Sequence, residues 1–174
     1  MDAREQTNKQ EPDSIRSRLW EFVVDVYAQP GVMVACLQAQ ERWDVDVNLM
    51  LYAVWCAKQN TVLSSEDFQR AETRCQVWRE AVVLPLRKQR ELWRGKPELS
   101  AEYAAIKGLE LQAERRQLEF LADLFEQDRS DLAALEFEGS IDVTLLKAQL
   151  TSLARHYGLQ GEVFTELRVA VTES

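Results

Sequence analysis

The sequence is poor in histidine and in the motifs that catalysis requires. His156 is the single histidine among 174 residues, which excludes a multi-histidine metal site and a di-iron site built on Glu-x-x-His pairs. It stands in the last turn before Gly158, where an imidazolium interacts favourably with a helix dipole, so we expect it to cap a helix. The chain has no G-x-S-x-G motif and no glycine-rich phosphate loop. The sequence therefore predicts no metal and no cofactor, and it favours a non-enzymatic protein without deciding the point.

Helix-breaking residues and cysteines are also scarce. Only six glycines and four prolines occur, and Ala, Leu, Glu, Gln and Arg dominate, which favours helix over strand. The three cysteines, Cys36, Cys56 and Cys75, are far apart, and each lies in an apolar helical pattern. That spacing suits neither a disulfide framework nor a zinc site. We interpret them as reduced thiols in the core of a cytoplasmic protein.

Long hydrophobic runs are missing as well. The apolar run at residues 45–57 has helix length but falls short of the roughly 20 residues that a membrane span needs. Residues 1–13 are polar and contain no apolar segment, so we expect a disordered tail rather than a secretory signal. Residues 14–174 then form a single domain without membrane insertion.

The run at residues 45–57 also places the core. It is apolar around its whole circumference, with Asp46 at its start and Asn48 just inside, so it predicts a helix in the middle of a bundle. The stripes of apolar residues predict helices at 15 to about 29, 32–39, 45–59, 65–93, 101–127, 142–157 and 162–171, and a short turn at 130–139. The expected N-caps are Asp13 or Ser14, Asp44 or Asp46, Ser64 or Ser65, Ser100, and Ser140 or Asp142. The fold class is an all-α, single antiparallel bundle of about six to seven helices.

The fourth of these helices contains a proline in its interior. Its apolar stripe runs through Trp78 and Val82 to Leu86 and Trp93. Pro85 removes a backbone donor in the middle of the stripe, so we expect a kink or a break there.

Charge is unevenly distributed along the chain. The net charge is -8, yet residues 61–97 carry five acidic and eight basic residues, whereas residues 98–138 carry eleven and four. One basic segment therefore sits in an acidic protein. Binding to nucleic acid is unfavourable overall, although a local contact with an anion is compatible with the pattern.

The long fifth helix carries two glutamates on its apolar side. At about 100° per residue, Glu110 falls beside Ile106 and Tyr103, and Glu114 falls beside Leu121. A buried carboxylate needs a cation, a proton or a wet cavity. The residues that we expect to meet there, as a buried polar network or a pocket, are Asn48, Arg79, Arg87, Arg90, Lys107, Glu110 and Glu114.

Three interpretations of this set remain open. The first is an ion-pair network that fixes helix register, the second is a pocket for a ligand, and the third is a pair of exposed glutamates. A pocket predicts a cavity of several hundred cubic ångströms at the carboxylates, whereas a network predicts close packing and paired side chains.

The basic segment also suggests an outward surface. Residues 85–96 hold five bases against one acid, with Trp93 among them. Arginine beside an aromatic ring suits phosphate recognition, but the same pattern fits a solvated face that pairs with the acidic fifth helix. Of the five tryptophans, we expect Trp43, in the turn before the central helix, to be partly exposed. The predicted interaction surface comprises Trp43, Arg87, Lys88, Arg90, Trp93 and Arg94.

The chain resembles a family of short, all-helical bacterial proteins, best known from proteobacteria, that has no assigned function. The resemblance spans about residues 14–125. It rests on Pro30-Gly31-Val32 with Cys36-Leu37, Asp46-Val47-Asn48-Leu49, Trp78-Arg79 with Pro85-Leu86-Arg87, and Ile106-Lys107 with Glu110-Leu111 and Glu114-Arg115. It implies that the inward Asn, Arg and Glu positions are family positions, and it implies no activity.

The chain is also similar, more faintly, to all-helical isoprenoid synthases. Glu110-x-x-x-Glu114 has the i, i+4 spacing that presents two carboxylates on one side, and Asp44 and Asp46 would oppose them. The resemblance implies a diphosphate held through magnesium. The chain departs from that family in its short length and in the lack of paired aspartate-rich motifs.

Two functions follow as hypotheses. The first is a cytoplasmic, non-enzymatic binding or adaptor protein whose partner is another protein. The alternative is a small helical enzyme or ligand carrier that binds an anionic ligand at Glu110 and Glu114.

Overall fold

The computed structural model describes residues 14–129 and 140–172. This part of the chain folds into an all-α helical bundle, as predicted. The α-helices are α1 (Ile15–Tyr27), α2 (Val32–Trp43), α3 (Val47–Lys58), α4 (Ser65–Trp78), α5 (Leu84–Trp93), α6 (Ser100–Asp128), α7 (Val143–His156) and α8 (Thr165–Thr172). The predicted tail at residues 1–13 and the predicted turn at 130–139 lie outside the described residues.

Helix α3 occupies the centre of the bundle. Every residue from Asn48 to Ala57 is buried, because α1, α2, α6 and α7 all pack against this helix. Asp46 caps it by accepting a hydrogen bond from the Asn48 backbone N–H at 2.9 Å. Trp55 packs edge-on against Phe125 of α6, with ring centroids 4.5 Å apart. The prediction of a central, wholly apolar helix is confirmed.

Most predicted helix starts are confirmed by their caps. Ser14 and Asp142 cap α1 and α7, and Ser64 forms a reciprocal capping box with Asp67 at the start of α4. The prediction for Ser100 is wrong, since this residue is already helical and a 3-10 turn, Pro97–Leu99, leads into α6 without a side-chain cap.

The predicted irregularity before Pro85 takes the form of a π-helical turn. Residues Arg79–Val83 lie between α4 and α5, and the Leu84 N–H bonds to the Arg79 carbonyl, one residue further back than in an α-helix. The proline ring clashes with the carbonyl four residues earlier, and the wider turn accommodates it. The extra residue makes Val83 the fully buried residue of this turn, whereas Val82 and Leu86 of the predicted stripe are partly buried.

Helices α2 and α8 meet at a glycine. Gly31 precedes α2 with φ +86°, and a Cβ built there would lie 3.3 Å from the Cβ of Ala170 on α8. Only glycine adopts this backbone conformation without strain while allowing so close an approach. The link ties the last helix to the first half of the chain.

No single helix within the described residues is both long and apolar enough to cross a bilayer. Helices α1 and α2 reach that length and composition only together, and they are bent by 95° at their junction.

Candidate binding cleft

Two arginines of α5 and two glutamates of α6 form a cluster of ion pairs. Arg87 places its Nε 3.1 Å from Glu110 Oε1 and its Nη2 2.8 Å from Glu114 Oε1. Arg90 donates to Glu110 from Nε and, at 3.3 Å, from Nη2. Glu110 is only 5% exposed, so the predicted inward orientation is confirmed. We call Arg87, Arg90, Glu110 and Glu114 the Arg–Glu cluster.

The Arg–Glu cluster extends to a third helix and to the protein surface. Arg87 Nη1 donates to Gln40 Oε1 of α2 at 3.0 Å. Arg90 Nη1 lies 2.8 Å from Glu91 Oε1, and Arg94 binds the same oxygen at 2.7 Å. Through Gln40, the cluster therefore connects α5 and α6 to α2, a helix from a much earlier part of the chain.

The electrostatics of the cluster follow from burial and pairing. Burial lowers the pKa of Arg87, but the hydrogen bonds and charges of Glu114 and Glu110 outweigh it and raise the pKa above its ordinary value. The hydrogen bond with Glu110 raises the pKa of Arg90. Burial raises the pKa of Glu114, with Glu110 and Asp46 adding repulsion, and Arg87 only partly opposes this.

Arg79 does not join the glutamates as predicted. Its Nε lies 3.1 Å from Asp46 Oδ2, the carboxylate that also caps α3. Gln117 of α6, which is 1% exposed, donates to the same oxygen at 2.6 Å. Asp46 is the feature of the sequence that could have predicted this pair. A carboxylate beside a buried helix favours a cationic partner.

Asn48 and Lys107, also predicted for the buried network or pocket, differ in their burial. Asn48 is buried and donates from Nδ2 to the backbone carbonyl of Glu114 at 3.4 Å. Lys107 is exposed, so it is not part of a buried network, but it lines the cleft described below, as the pocket interpretation predicts. Within the described chain it has no ion-pair partner, and an ammonium without a counter-charge stays in water.

A cleft of about 830 Å³ opens beside the Arg–Glu cluster. Helices α1, α2, α5 and α6 form its walls, and α3 contributes Val47, Asn48 and Leu51 to its floor. All four residues of the cluster line it, as does Lys107. The cavity expected of a pocket and the paired side chains expected of a network are thus both present at the same place.

Several apolar side chains that line the cleft are open to solvent. Val24, Leu37 and Leu111 are 45%, 48% and 53% exposed. Apolar side chains grouped around a concave site are typical of a surface that binds something.

Gly108 in the wall of the cleft has no evident role in the fold. It lies inside α6, where glycine is about 0.8–1 kcal/mol less favourable than alanine. A Cβ built on it would meet no atom within 4 Å among the described residues. The missing side chain leaves the backbone of α6 open to whatever enters the cleft.

The predicted outward surface is only partly available. Arg87 and Arg90 are 22% and 17% exposed and are held in the Arg–Glu cluster, so their assignment to an outward surface is wrong. Lys88 and Arg94 are exposed, and Trp93 is partly exposed. The π turn sets this arrangement, since it comes just before the basic segment and shifts its phase.

Trp43 and His156 are both packed against neighbouring side chains. Trp43 is partly exposed, as expected, but its ring packs edge-on against Phe164 at 5.8 Å. His156 ends α7 as predicted, and its Nε2 lies 3.2 Å from Glu72 Oε2 of α4.

The three cysteines are free and buried. Burial raises the pKa of Cys36 and of Cys75 to about 12, and it raises the pKa of Cys56 as well.

The acidic residues do not form the magnesium site that the likeness to isoprenoid synthases implied. In the described parts of the chain, no group of three or more His, Cys, Asp or Glu side chains is arranged to hold a metal ion. Glu110 and Glu114 bind guanidinium groups, and Asp46 binds Arg79 and Gln117. Their oxygens are therefore directed at protein donors.

Comparison with known proteins places the cleft within a shared segment. Residues 18–121 match a protein family of unknown function, DUF2390. No curated protein and no solved structure matches the chain. The matched segment contains every residue that lines the cleft, whereas α7 and α8 lie beyond it.

Proposed function

We propose that this chain, which belongs to the DUF2390 family of unknown function, is a non-enzymatic cytoplasmic binding protein whose cleft takes a small amphipathic organic anion. The observation that carries the proposal is an open cleft that exposes apolar side chains and, among the described residues, one lysine without an ion-pair partner. The cytoplasmic location rests on the three buried free thiols, which suit a reducing compartment.

The size and the lining of the cleft favour a small molecule. Its volume of about 830 Å³ falls within the range of roughly 300–1,000 Å³ that is usual for ligand pockets. Trp20, Tyr27 and Leu51 provide apolar wall, and the polar groups are concentrated on the side of α5 and α6. Such a surface suits a ligand with an apolar body and one polar end.

The charges in the cleft favour an anion. The charged residues of its lining are four bases and three acids, although the protein as a whole carries a net charge of -8. Arg87, Arg90 and Arg94 all have carboxylate partners. Lys107, at the mouth of the cleft, has none among the described residues, so it offers a positive charge to a ligand.

The Arg–Glu cluster suits a binding wall better than a catalytic centre. Both carboxylate oxygens of Glu110 accept hydrogen bonds from guanidinium groups, which leaves this side chain little freedom to act as a base. The cluster holds α5 against α6 and α2, and it thereby keeps the cleft open in a fixed shape.

The proposal is tested by titrating the protein with decanoate and, as its uncharged counterpart, decanol. Isothermal calorimetry should detect saturable binding of decanoate to the wild type, with decanol weaker. Gly108→Leu should abolish binding of both, because the new side chain occupies the cleft, while its better helix propensity preserves the fold.

Lys107→Gln tests the contribution of the positive charge to binding. We expect it to weaken the binding of decanoate about two- to fivefold, since an exposed ion pair contributes about 0.5–1 kcal/mol. The affinity for decanol should not change. Lys88→Gln, at an exposed lysine outside the cleft, is the matched control and should change neither. Equal affinity for the two ligands would contradict the anion preference. A protein partner lying across the rim, the competing occupant, predicts no saturable decanoate site.

A further inference from the structure

The floor of the cleft contains a polar residue of the otherwise apolar central helix. Asn48 is 9% exposed, whereas the residues that follow it in α3, from Leu49 to Ala57, are at most 2% exposed. It lines the cleft together with Val47 and Leu51. A side-chain amide in so apolar a place is costly unless both of its ends find hydrogen-bond partners.

Only one end of the Asn48 amide has such a partner. Its Nδ2 donates to the backbone carbonyl of Glu114 at 3.4 Å. Because a carbonyl only accepts hydrogen bonds, this contact identifies the NH₂ end of the amide and leaves Oδ1 as the other end. Oδ1 has no partner in the described structure, yet it is not among the atoms that the fold closes off from solvent. It is an acceptor open to the cleft.

Three neighbouring side chains also present unused polar atoms to the cleft. Glu114 and Gln40 each bind the Arg87 guanidinium through one oxygen, and Glu114 Oε2 and Gln40 Nε2 make no hydrogen bond with a described residue. The same holds for the Tyr27 hydroxyl, which lies close enough to Glu114 that the carboxylate adds to the rise in its pKa that burial causes. None of these atoms is closed off from solvent.

The chemistry of these atoms matches a hydroxyl group. Asn48 and Glu114 offer acceptors, Gln40 offers a donor, and Tyr27 offers either. A hydroxyl both donates and accepts, so it satisfies such a set. A carboxylate would meet the negative charge of Glu114, and a methyl group would displace water from these atoms without replacing its hydrogen bonds.

The position of Lys107 sets the orientation of a ligand that carries both a carboxylate and a hydroxyl. Lys107 and Glu114 both line the cleft and stand seven residues apart on α6, which is about 10 Å along the helix axis. The carboxylate is attracted by Lys107 and repelled by Glu114. The hydroxyl therefore belongs at the other end of the molecule, and the apolar body between them passes Leu111.

We propose that the ligand of the cleft is a hydroxylated carboxylic acid, whose carboxylate lies at Lys107 and whose distant hydroxyl binds Asn48, Glu114 and Tyr27. This inference rests on the function proposed for the cleft, and it names the class of ligand within that function.

The test compares three acids by isothermal calorimetry on the wild type. 10-Hydroxydecanoate should bind about tenfold more tightly than decanoate, a difference of 1.4 kcal/mol. 10-Methoxydecanoate should bind no more tightly than decanoate, because its ether oxygen accepts a hydrogen bond but has none to donate to Asn48 and Glu114.

Asn48→Leu removes the unpartnered oxygen and keeps the approximate shape of the side chain. It should reduce the ratio of the affinities for 10-hydroxydecanoate and decanoate from about tenfold to about twofold or less. Gln38→Leu makes the same kind of change at an exposed residue of α2 outside the cleft, and this matched control should keep the ratio of about tenfold.

The outcomes separate this inference from the proposed function. Equal affinities for decanoate and 10-hydroxydecanoate, or a preference that persists in Asn48→Leu, would overturn the hydroxyl site and leave the binding of decanoate as evidence for the cleft. Failure of all three acids to bind would overturn both. If Asn48→Leu does not fold, Tyr27→Phe, which should lower the same ratio, and the methoxy analogue on the wild type decide the question.

Discussion

Glu110→Gln removes one negative charge from the centre of the Arg–Glu cluster while keeping the shape of the side chain. In the native structure Glu110 accepts hydrogen bonds from Arg87 Nε, Arg90 Nε and Arg90 Nη2. The amide retains one acceptor oxygen and turns its NH₂ group toward a guanidinium. Both arginines then lose a charged partner in a partly buried place.

The magnitude follows from the environment of the two arginines. Breaking a fully buried ion pair by removing one partner costs about 3–5 kcal/mol. Arg87 and Arg90 are 22% and 17% exposed, and they keep Glu114 and Glu91 as second partners. The expected loss is therefore smaller, about 2–3 kcal/mol. In a chain of this size, that corresponds to a fall in Tm of about 4–12 °C.

The assay is urea and thermal unfolding monitored by far-UV circular dichroism. Glu126→Gln is the matched control, because Glu126 is an exposed glutamate on the same helix, and its replacement should change the free energy of unfolding by less than about 0.5 kcal/mol. The double variant with Arg90→Gln should lose less stability than the two single changes added together, because both remove the same pair. The reasoning fails if Glu110→Gln unfolds at the same urea concentration as the control, or if the two changes add.

The remaining predictions concern pH, backbone geometry and thiol access. Because burial raises the folded pKa of Glu114, its contribution to stability is complete below its ordinary value of 4.5 and is lost as the pH rises through the folded pKa. Glu114→Gln should therefore flatten the fall in unfolding free energy over that range, and an unchanged pH profile would contradict this. Gly31→Ala should destabilise the protein by more than the about 1–2 kcal/mol expected for Gly161→Ala, measured by urea unfolding, since both have φ near +85° but only Gly31 is tightly packed. The three buried cysteines should react with Ellman's reagent only after unfolding, and rapid labelling of the native protein would show that they are accessible.

The helices were predictable because their signals are local. Asp46 followed by a wholly apolar run specifies both a cap and a buried helix, and Ser64 with Asp67 specifies a capping box. The helical period of α6 alone turns Glu110 toward the core. None of these inferences depends on which other helix packs against the segment.

The π turn and the partner of Arg79 were not predictable in this way. Pro85 signals a break, but either a kink or an inserted residue accommodates a proline ring, and the local sequence does not distinguish the two. Arg79 pairs with Asp46 and not with Glu110 or Glu114, because the π turn places it near the start of α3.

Helical period and composition are properties of each segment alone, and they suffice to specify a helical bundle with acidic side chains turned into it. The cations that meet those acids, and the open cleft beside them, arise only when the helices pack together. Arg87 reaches residues 47 positions before it and 27 after it, at Gln40 and Glu114. Distances between such remote groups, and the volume left between helices, depend on how whole helices pack rather than on any local pattern.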